Sequence, residues 1–177
     1  MKWMSRRKLI GVVGGILGVL YMVPSVSAGT HKGFPEKYSD VYMPVSLAVG
    51  TIRTPEFVTD ARLYDILIQV EKPLPFIQMT CMMGVTLGPL DLKECSSADP
   101  LLRAEWTVWN EGHIVSKGSS PTEAHAKFTD KYIFQLLGKF SGEAGKKYTV
   151  EVKFTKDGSP LNVANPRLIV IQHIKFW

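Results

Sequence analysis

Lys147-Tyr148-Thr149-Val150-Glu151-Val152-Lys153-Phe154 is the stretch that decides the fold of this chain, because its apolar and polar residues alternate without interruption. Successive side chains of a β-strand point to opposite faces of the sheet, so this alternation predicts a strand with one buried face. A second stretch, Tyr64-Asp65-Ile66-Leu67-Ile68-Gln69-Val70, has apolar residues at every second position, between which lie Asp65 and Gln69. We therefore predict a second half-buried strand there.

The rest of the chain continues this strand-rich pattern. Further strands are predicted at residues 41–49, 75–83, 101–109, 114–117, 131–140 and 167–175. Turn residues separate them, among them Asn110-Glu111-Gly112 and the glycine-rich stretch 142–145. Residues 121–128 predict one short helix, since Pro121 suits a first helical turn. Short strands at this spacing, without βαβ alternation, predict an all-β fold: an antiparallel β-sandwich with one short helix, or a small barrel.

The first 28 residues predict export from the cytoplasm. Residues 1–8 carry four basic side chains and no acidic one, residues 9–23 are apolar, and Val26-Ser27-Ala28 offers a small-residue cleavage site. This order is that of a secretory signal peptide, and Arg6-Arg7 leaves both general secretion and twin-arginine export open. We predict a signal peptide at 1–28, a flexible leader at 29–40 and a β-sandwich domain at 41–177. The expected location is periplasmic or secreted, with membrane contact only through the export signal.

The charge balance excludes a nucleic-acid partner. The chain has 21 Lys and Arg residues against 16 Asp and Glu, but four of the basic residues lie in the predicted signal peptide, which leaves 17. A domain so close to neutral lacks the basic surface that binds nucleic acid.

Cys81 and Cys95 are the two cysteines of the chain. Thiols that enter an oxidising compartment tend to pair, so we predict one disulfide between them. Closing a loop of this size stabilises a fold by about 3 kcal/mol. Two free thiols remain the alternative, because the sequence does not show whether the two side chains approach each other.

No catalytic motif, metal site or cofactor fingerprint is present in the sequence. The four histidines are scattered singly, and none lies with the three or four convergent ligands that a zinc site needs. We therefore predict no enzyme activity, no metal and no cofactor. A hydrolase built from Asp60, Asp65, His113 and His125 is kept as an enzymatic alternative, which requires those four side chains to converge.

The predicted strand at 101–109 carries the most suggestive surface. If its apolar residues face inward, then Arg103, Glu105 and Trp109 face outward together. Trp and Arg are enriched at the energetic centres of protein interfaces, so these three residues are our candidate binding residues. The alternative is that another part of the chain covers Trp109, which then packs as an ordinary core residue.

The second half of the chain resembles a family of uncharacterised exported β-sandwich domains of proteobacteria. The residues that carry the resemblance are the stretch 138–152, with its glycine turn and strand tyrosine Tyr148, and the later Asn165-Pro166-Arg167. The resemblance implies an Ig-like β-sandwich and supplies no catalytic residue. In such sandwiches a tyrosine at the position of Tyr148 acts as a corner tyrosine, whose hydroxyl binds the backbone upstream.

Export, a compact strand-rich domain and the lack of a catalytic motif together predict a non-catalytic binding protein. The expected partner is a protein of the cell envelope, which this chain would bind as an accessory or immunity-type protein. The alternative is a small-ligand module for a glycan or a lipid, with Trp109 as a stacking platform.

Overall fold

The structure is a computed structural model, and it describes residues 39–60, 63–85, 95, 99–120 and 126–173. The predicted signal peptide lies outside the described residues. The predicted leader does so up to residue 38, and the first strand then begins at Ser39, two residues before the predicted start of the domain.

The described residues form two antiparallel sheets, which confirms the predicted antiparallel β-sandwich. In chain order the strands are β1 (Ser39–Pro44), β2 (Gly50–Arg53), β3 (Phe57–Val58), β4 (Leu63–Glu71), β5 (Ala104–Asn110), β6 (His113–Ser120), β7 (Ala126–Phe128), β8 (Tyr132–Ser141), β9 (Lys147–Phe154) and β10 (Arg167–Gln172). Sheet A has the order β1-β10-β4-β8-β7, and sheet B has the order β2-β9-β5-β6, with β3 also paired to β9. The helices are α1 (Phe76–Met83) and a 3-10 helix at Ser159–Ala164.

β9 follows the predicted alternation along its length. Tyr148, Val150, Val152 and Phe154 are each at most 4% exposed, whereas the residues between them are half-buried or exposed. The buried row faces the sandwich interior, where it packs with the inward rows of β4, β5, β8 and β10. The burial of these apolar rows is the main favourable contribution to the free energy of folding of the sandwich.

Trp106 on β5 lies in the interior, against one glycine of each sheet. A Cβ built on Gly118 of β6 would lie 2.6 Å from the Trp106 ring, and one built on Gly138 of β8 would lie 2.2 Å from it. Both distances are far inside van der Waals contact. Glycine is therefore required on both sheets so that the indole can lie between them.

β4 is buried on both faces, so the prediction of a half-buried strand was wrong there. Asp65 and Gln69, expected in solvent, are 0% and 1% exposed. Beside them on this second face is a separate apolar cluster formed by Leu67, Phe134, Ile169 and Ile171. β4 lies in the middle of sheet A between β8 and β10, where both neighbours also place apolar residues on that face. The Asp65 carboxylate is paired, 2.9 Å from His173 Nδ1 and 3.9 Å from Lys139 Nζ.

The helix α1 lies where the sequence predicted a strand. Residues 75–83, predicted as that strand, contain α1, whose buried Met79, Thr80 and Met83 turn one face into the core. An apolar run this short fits a strand and a helix equally well. Gly84, with φ of 73°, ends the helix in the left-handed region. Of the predicted helix 121–128, residues 126–128 form β7, and residues 121–125 lie outside the described part.

Cys81 and Cys95 form the predicted disulfide. Their Cα atoms are 5.0 Å apart, and the bond joins α1 to residue 95 across 14 positions of sequence. No helix in the described ranges has the length and apolar character needed to cross a membrane.

Tyr148 takes the predicted corner role, since its hydroxyl accepts a hydrogen bond of 3.1 Å from the backbone N–H of Glu143. We expect Tyr148→Phe to destabilise the protein by about 1 kcal/mol, because the Glu143 N–H then loses its partner. Denaturant unfolding measures this loss. The control is Tyr132→Phe, since the Tyr132 hydroxyl makes no hydrogen bond within the described residues, and an equal effect of both substitutions would contradict the corner role.

Candidate functional site

The strand that carries the predicted binding residues has the predicted orientation. Ala104, Trp106 and Val108 of β5 face the interior, where all three are buried. Arg103 and Glu105 are exposed on the opposite face, and Trp109 is half-buried there. The three candidate residues therefore do lie on one side of sheet B.

They do not form one cluster, however. Arg103 and Trp109 are six positions apart on an extended backbone, which separates them by about 20 Å. Arg103 pairs with Asp99 at 2.7 Å, and Glu105 pairs with Lys153 at 3.2 Å. Both are exposed ion pairs of small energetic value. We therefore separate the Trp109 end of β5 from the Arg103 end.

At the Trp109 end, strand pairing places two rows of side chains side by side. One row runs from Thr149 on β9 through Trp109 to Ile114 on β6. The neighbouring row holds Arg53, Glu151, Thr107 and Lys117, which lie on β2, β9, β5 and β6. We call these seven residues the Trp109 surface. It combines an apolar row with a charged row on the outer face of sheet B.

Arg53 lies over the indole of Trp109, with its guanidinium carbon 5.3 Å from the ring centroid. This distance is that of a cation–π contact. Arg53 was not among the predicted binding residues, since it is 56 positions away from Trp109 in the chain. Only the order of strands β2-β9-β5 brings the two together, and no local pattern in the sequence indicates that order.

In the charged row of the Trp109 surface, two cations have no counterion among the described residues. In the described part of the chain neither Arg53 nor Lys117 lies within ion-pair distance of a carboxylate, although Glu151 stands between them in the row. The Trp109 indole N–H is buried and has no hydrogen-bond partner among the described residues. Beside the indole, Ile114 and the neighbouring Val115 are 53% and 50% exposed. The surface therefore presents apolar area and positive charge.

The residues of the hydrolase alternative have other partners in the structure. Asp60 accepts hydrogen bonds from the Tyr64 hydroxyl at 3.0 Å and from Gln172, while Asp65 pairs with His173. Burial raises the pKa of Tyr64, so its hydroxyl stays a proton donor at neutral pH. His113 lies on sheet B at the start of β6, and His125 lies outside the described residues. Among the described residues, no three His, Cys, Asp or Glu side chains lie together in a group that could hold a metal ion.

A groove of about 590 Å³ lies beside α1, at the Arg103 end of the domain. It is lined by Pro75, Ile77, Gln78, Cys81, Met82, Asp99 and Leu101. The Asp99 carboxylate lies 2.7 Å from Arg103 and 2.6 Å from Lys156. The hydrogen bond from Lys156, together with the charge of Arg103, lowers the pKa of Asp99 and keeps it ionised.

Comparison with known protein families, curated proteins and solved structures gives no match to this chain. The resemblance of residues 138–152 to exported β-sandwich domains therefore stays a prediction.

Proposed function

We propose that this chain is an exported, non-catalytic β-sandwich that binds another protein of the cell envelope, as an accessory or immunity-type protein does. The observation that carries the proposal is the stacking of Arg53 on Trp109 at an exposed face of sheet B. Trp and Arg are the residues most enriched at the energetic centres of protein interfaces. Exposed Ile114 adds apolar area directly beside them.

The arrangement favours a protein over a glycan as the partner. A sugar stacks on the open face of an aromatic ring, and the guanidinium of Arg53 already covers a face of the Trp109 ring. A protein partner can instead pack against the Trp109–Arg53 pair as it stands. Its carboxylates would meet Arg53 and Lys117, so we expect an apolar side chain flanked by acidic residues on the partner.

The cysteine pair supports the export part of the proposal. Disulfides form and persist in oxidising compartments, and Cys81 and Cys95 are joined. Together with the signal-like order of residues 1–28, this favours a periplasmic or secreted protein.

We expect Trp109→Ala and Arg53→Ala to reduce partner capture by tenfold or more, since truncating a residue at an interface centre commonly costs at least about 2 kcal/mol. The measurement is the amount of partner protein that the tagged chain captures when it is produced in the cells from which it comes. The matched control is Val163→Ala, because Val163 is 65% exposed on the 3-10 helix outside the Trp109 surface.

Thermal unfolding of each variant would show that the fold is intact. A protein captured equally by the parent, Trp109→Ala and Arg53→Ala chains would contradict the proposal, and so would the recovery of no protein above background.

A further inference from the structure

The groove beside α1 is a second candidate site, separate from the Trp109 surface. Its volume of about 590 Å³ lies within the range of small-ligand pockets. Aliphatic and sulfur-containing side chains dominate its lining, among them Ile77, Met82 and the disulfide-bonded Cys81. Ile77 is 41% exposed, so this side of α1 offers apolar area to solvent. The groove therefore suits an apolar ligand.

The charges at the edge of the groove indicate which charge the head group of that ligand carries. Both oxygens of the Asp99 carboxylate are engaged, one by Arg103 and the other by Lys156. Two cations thus surround one anion, so the described charges at this edge sum to a positive one. Lys156 also donates to the carbonyl oxygens of Asp99 and Pro100, which uses all three of its ammonium hydrogens.

Arg103 is the cation that retains binding capacity. In the described residues its guanidinium makes a single side-chain hydrogen bond, from Nη2 to Asp99 Oδ1. The remaining N–H donors form the planar fork that matches a carboxylate or a phosphate. Arg103 is therefore placed to hold an anionic group at the edge of an apolar groove.

We propose that this groove binds an anionic amphiphile of the fatty-acid type, with the hydrocarbon chain along α1 and the anionic head at Arg103. The proposal does not depend on the proposed protein partner, because Arg103 directly precedes β5 whereas Trp109 lies near the far end of that strand.

The test compares three probes with the same hydrocarbon chain: dodecanoate, dodecanol and dodecyltrimethylammonium, each kept below its micelle concentration. Binding is followed by the NMR signals of ¹³C-labelled methionine methyl groups, because Met82 lines the groove whereas Met79 and Met83 are buried. We expect the Met82 signal to shift most. Dodecanoate should bind threefold to tenfold more tightly than dodecanol, and dodecyltrimethylammonium should bind most weakly.

Substitutions at the edge of the groove change the charge in opposite directions. Arg103→Gln should remove the preference for dodecanoate over dodecanol, whereas Asp99→Asn should increase it. Ile77→Gln should weaken all three probes, and Val163→Gln, at an exposed position of the 3-10 helix that does not line the groove, should weaken none. Trp109→Ala should leave dodecanoate binding unchanged, which separates this proposal from the protein-binding one.

Three outcomes would overturn the proposal. Equal affinities for the three probes would mean that the groove has no head-group site. Tighter binding of the cationic probe would mean that Asp99, and not Arg103, dominates the edge. Absence of a Met82 shift would mean that the amphiphile does not occupy the groove.

Discussion

Trp106→Ala is expected to destabilise the protein by about 3–5 kcal/mol, the cost of removing a large aromatic residue from a packed core. Trp106 is 8% exposed, and its indole lies between Gly118 of sheet B and Gly138 of sheet A. Its removal would leave a cavity between these two glycines. Denaturant unfolding followed by circular dichroism measures the loss.

Substitution of Gly138 or Gly118 tests the contact between these glycines and the Trp106 indole. Gly138→Ala places a Cβ 2.2 Å from the indole, so we expect a destabilisation of about 1–3 kcal/mol or more from overpacking. Gly118→Ala, at 2.6 Å, provides a milder version should Gly138→Ala fail to fold.

The combination of both changes distinguishes packing from other effects. Gly138→Ala should cost much less in a Trp106→Ala background, because the added methyl group then fills part of the cavity. Additive effects of the two substitutions, or a neutral Gly138→Ala, would contradict the described placement of Trp106.

Loss of the Cys81–Cys95 disulfide is expected to destabilise the protein by about 3 kcal/mol. The bond joins α1 to residue 95 and closes a loop across 14 positions of sequence. Without it the unfolded chain gains conformational freedom, and α1 loses a covalent tie. The expected fall in melting temperature is on the order of 10 °C for a domain of this size.

The measurement compares melting temperatures with and without reductant in the parent chain and in a Cys81→Ala/Cys95→Ala variant. The parent should lose stability on reduction, whereas the variant should start lower and ignore the reductant. Identical melting of the parent and the variant without reductant would contradict a stabilising disulfide.

The sequence was sufficient to predict structure where side-chain alternation and burial coincide. β9 alternates along its length, and the same reasoning placed Trp106 inside and Trp109 outside on β5. The alternation failed on β4, because Asp65 and Gln69 are polar but buried. A polar residue indicates a solvent-exposed face only when the fold offers it no polar partner in the interior. Asp65 has such a partner in His173, which lies far along the chain and is brought close by strand pairing.

The helix and the binding surface depended on information that local sequence does not contain. α1 was predicted as a strand, since a mostly apolar run of eight residues does not distinguish the two periods. Trp109 was predicted, but Arg53 was not, because only the order of strands in sheet B brings them together. Arg103 and Glu105 share a face with Trp109 as predicted, yet the length of β5 separates Arg103 from it.

Site-specific photo-crosslinking tests the central proposal most directly, namely that this domain binds a protein through the Trp109 surface. A photoreactive residue replaces Lys117, an exposed β6 residue of the Trp109 surface, and in a control chain it replaces Lys131, which is exposed beside β8 of sheet A. Both chains are irradiated in the cells that produce them. We predict a discrete protein adduct from position 117 that is absent from position 131 and lost when Trp109→Ala is added. No adduct at position 117, or the same adduct at both positions, would contradict the proposal.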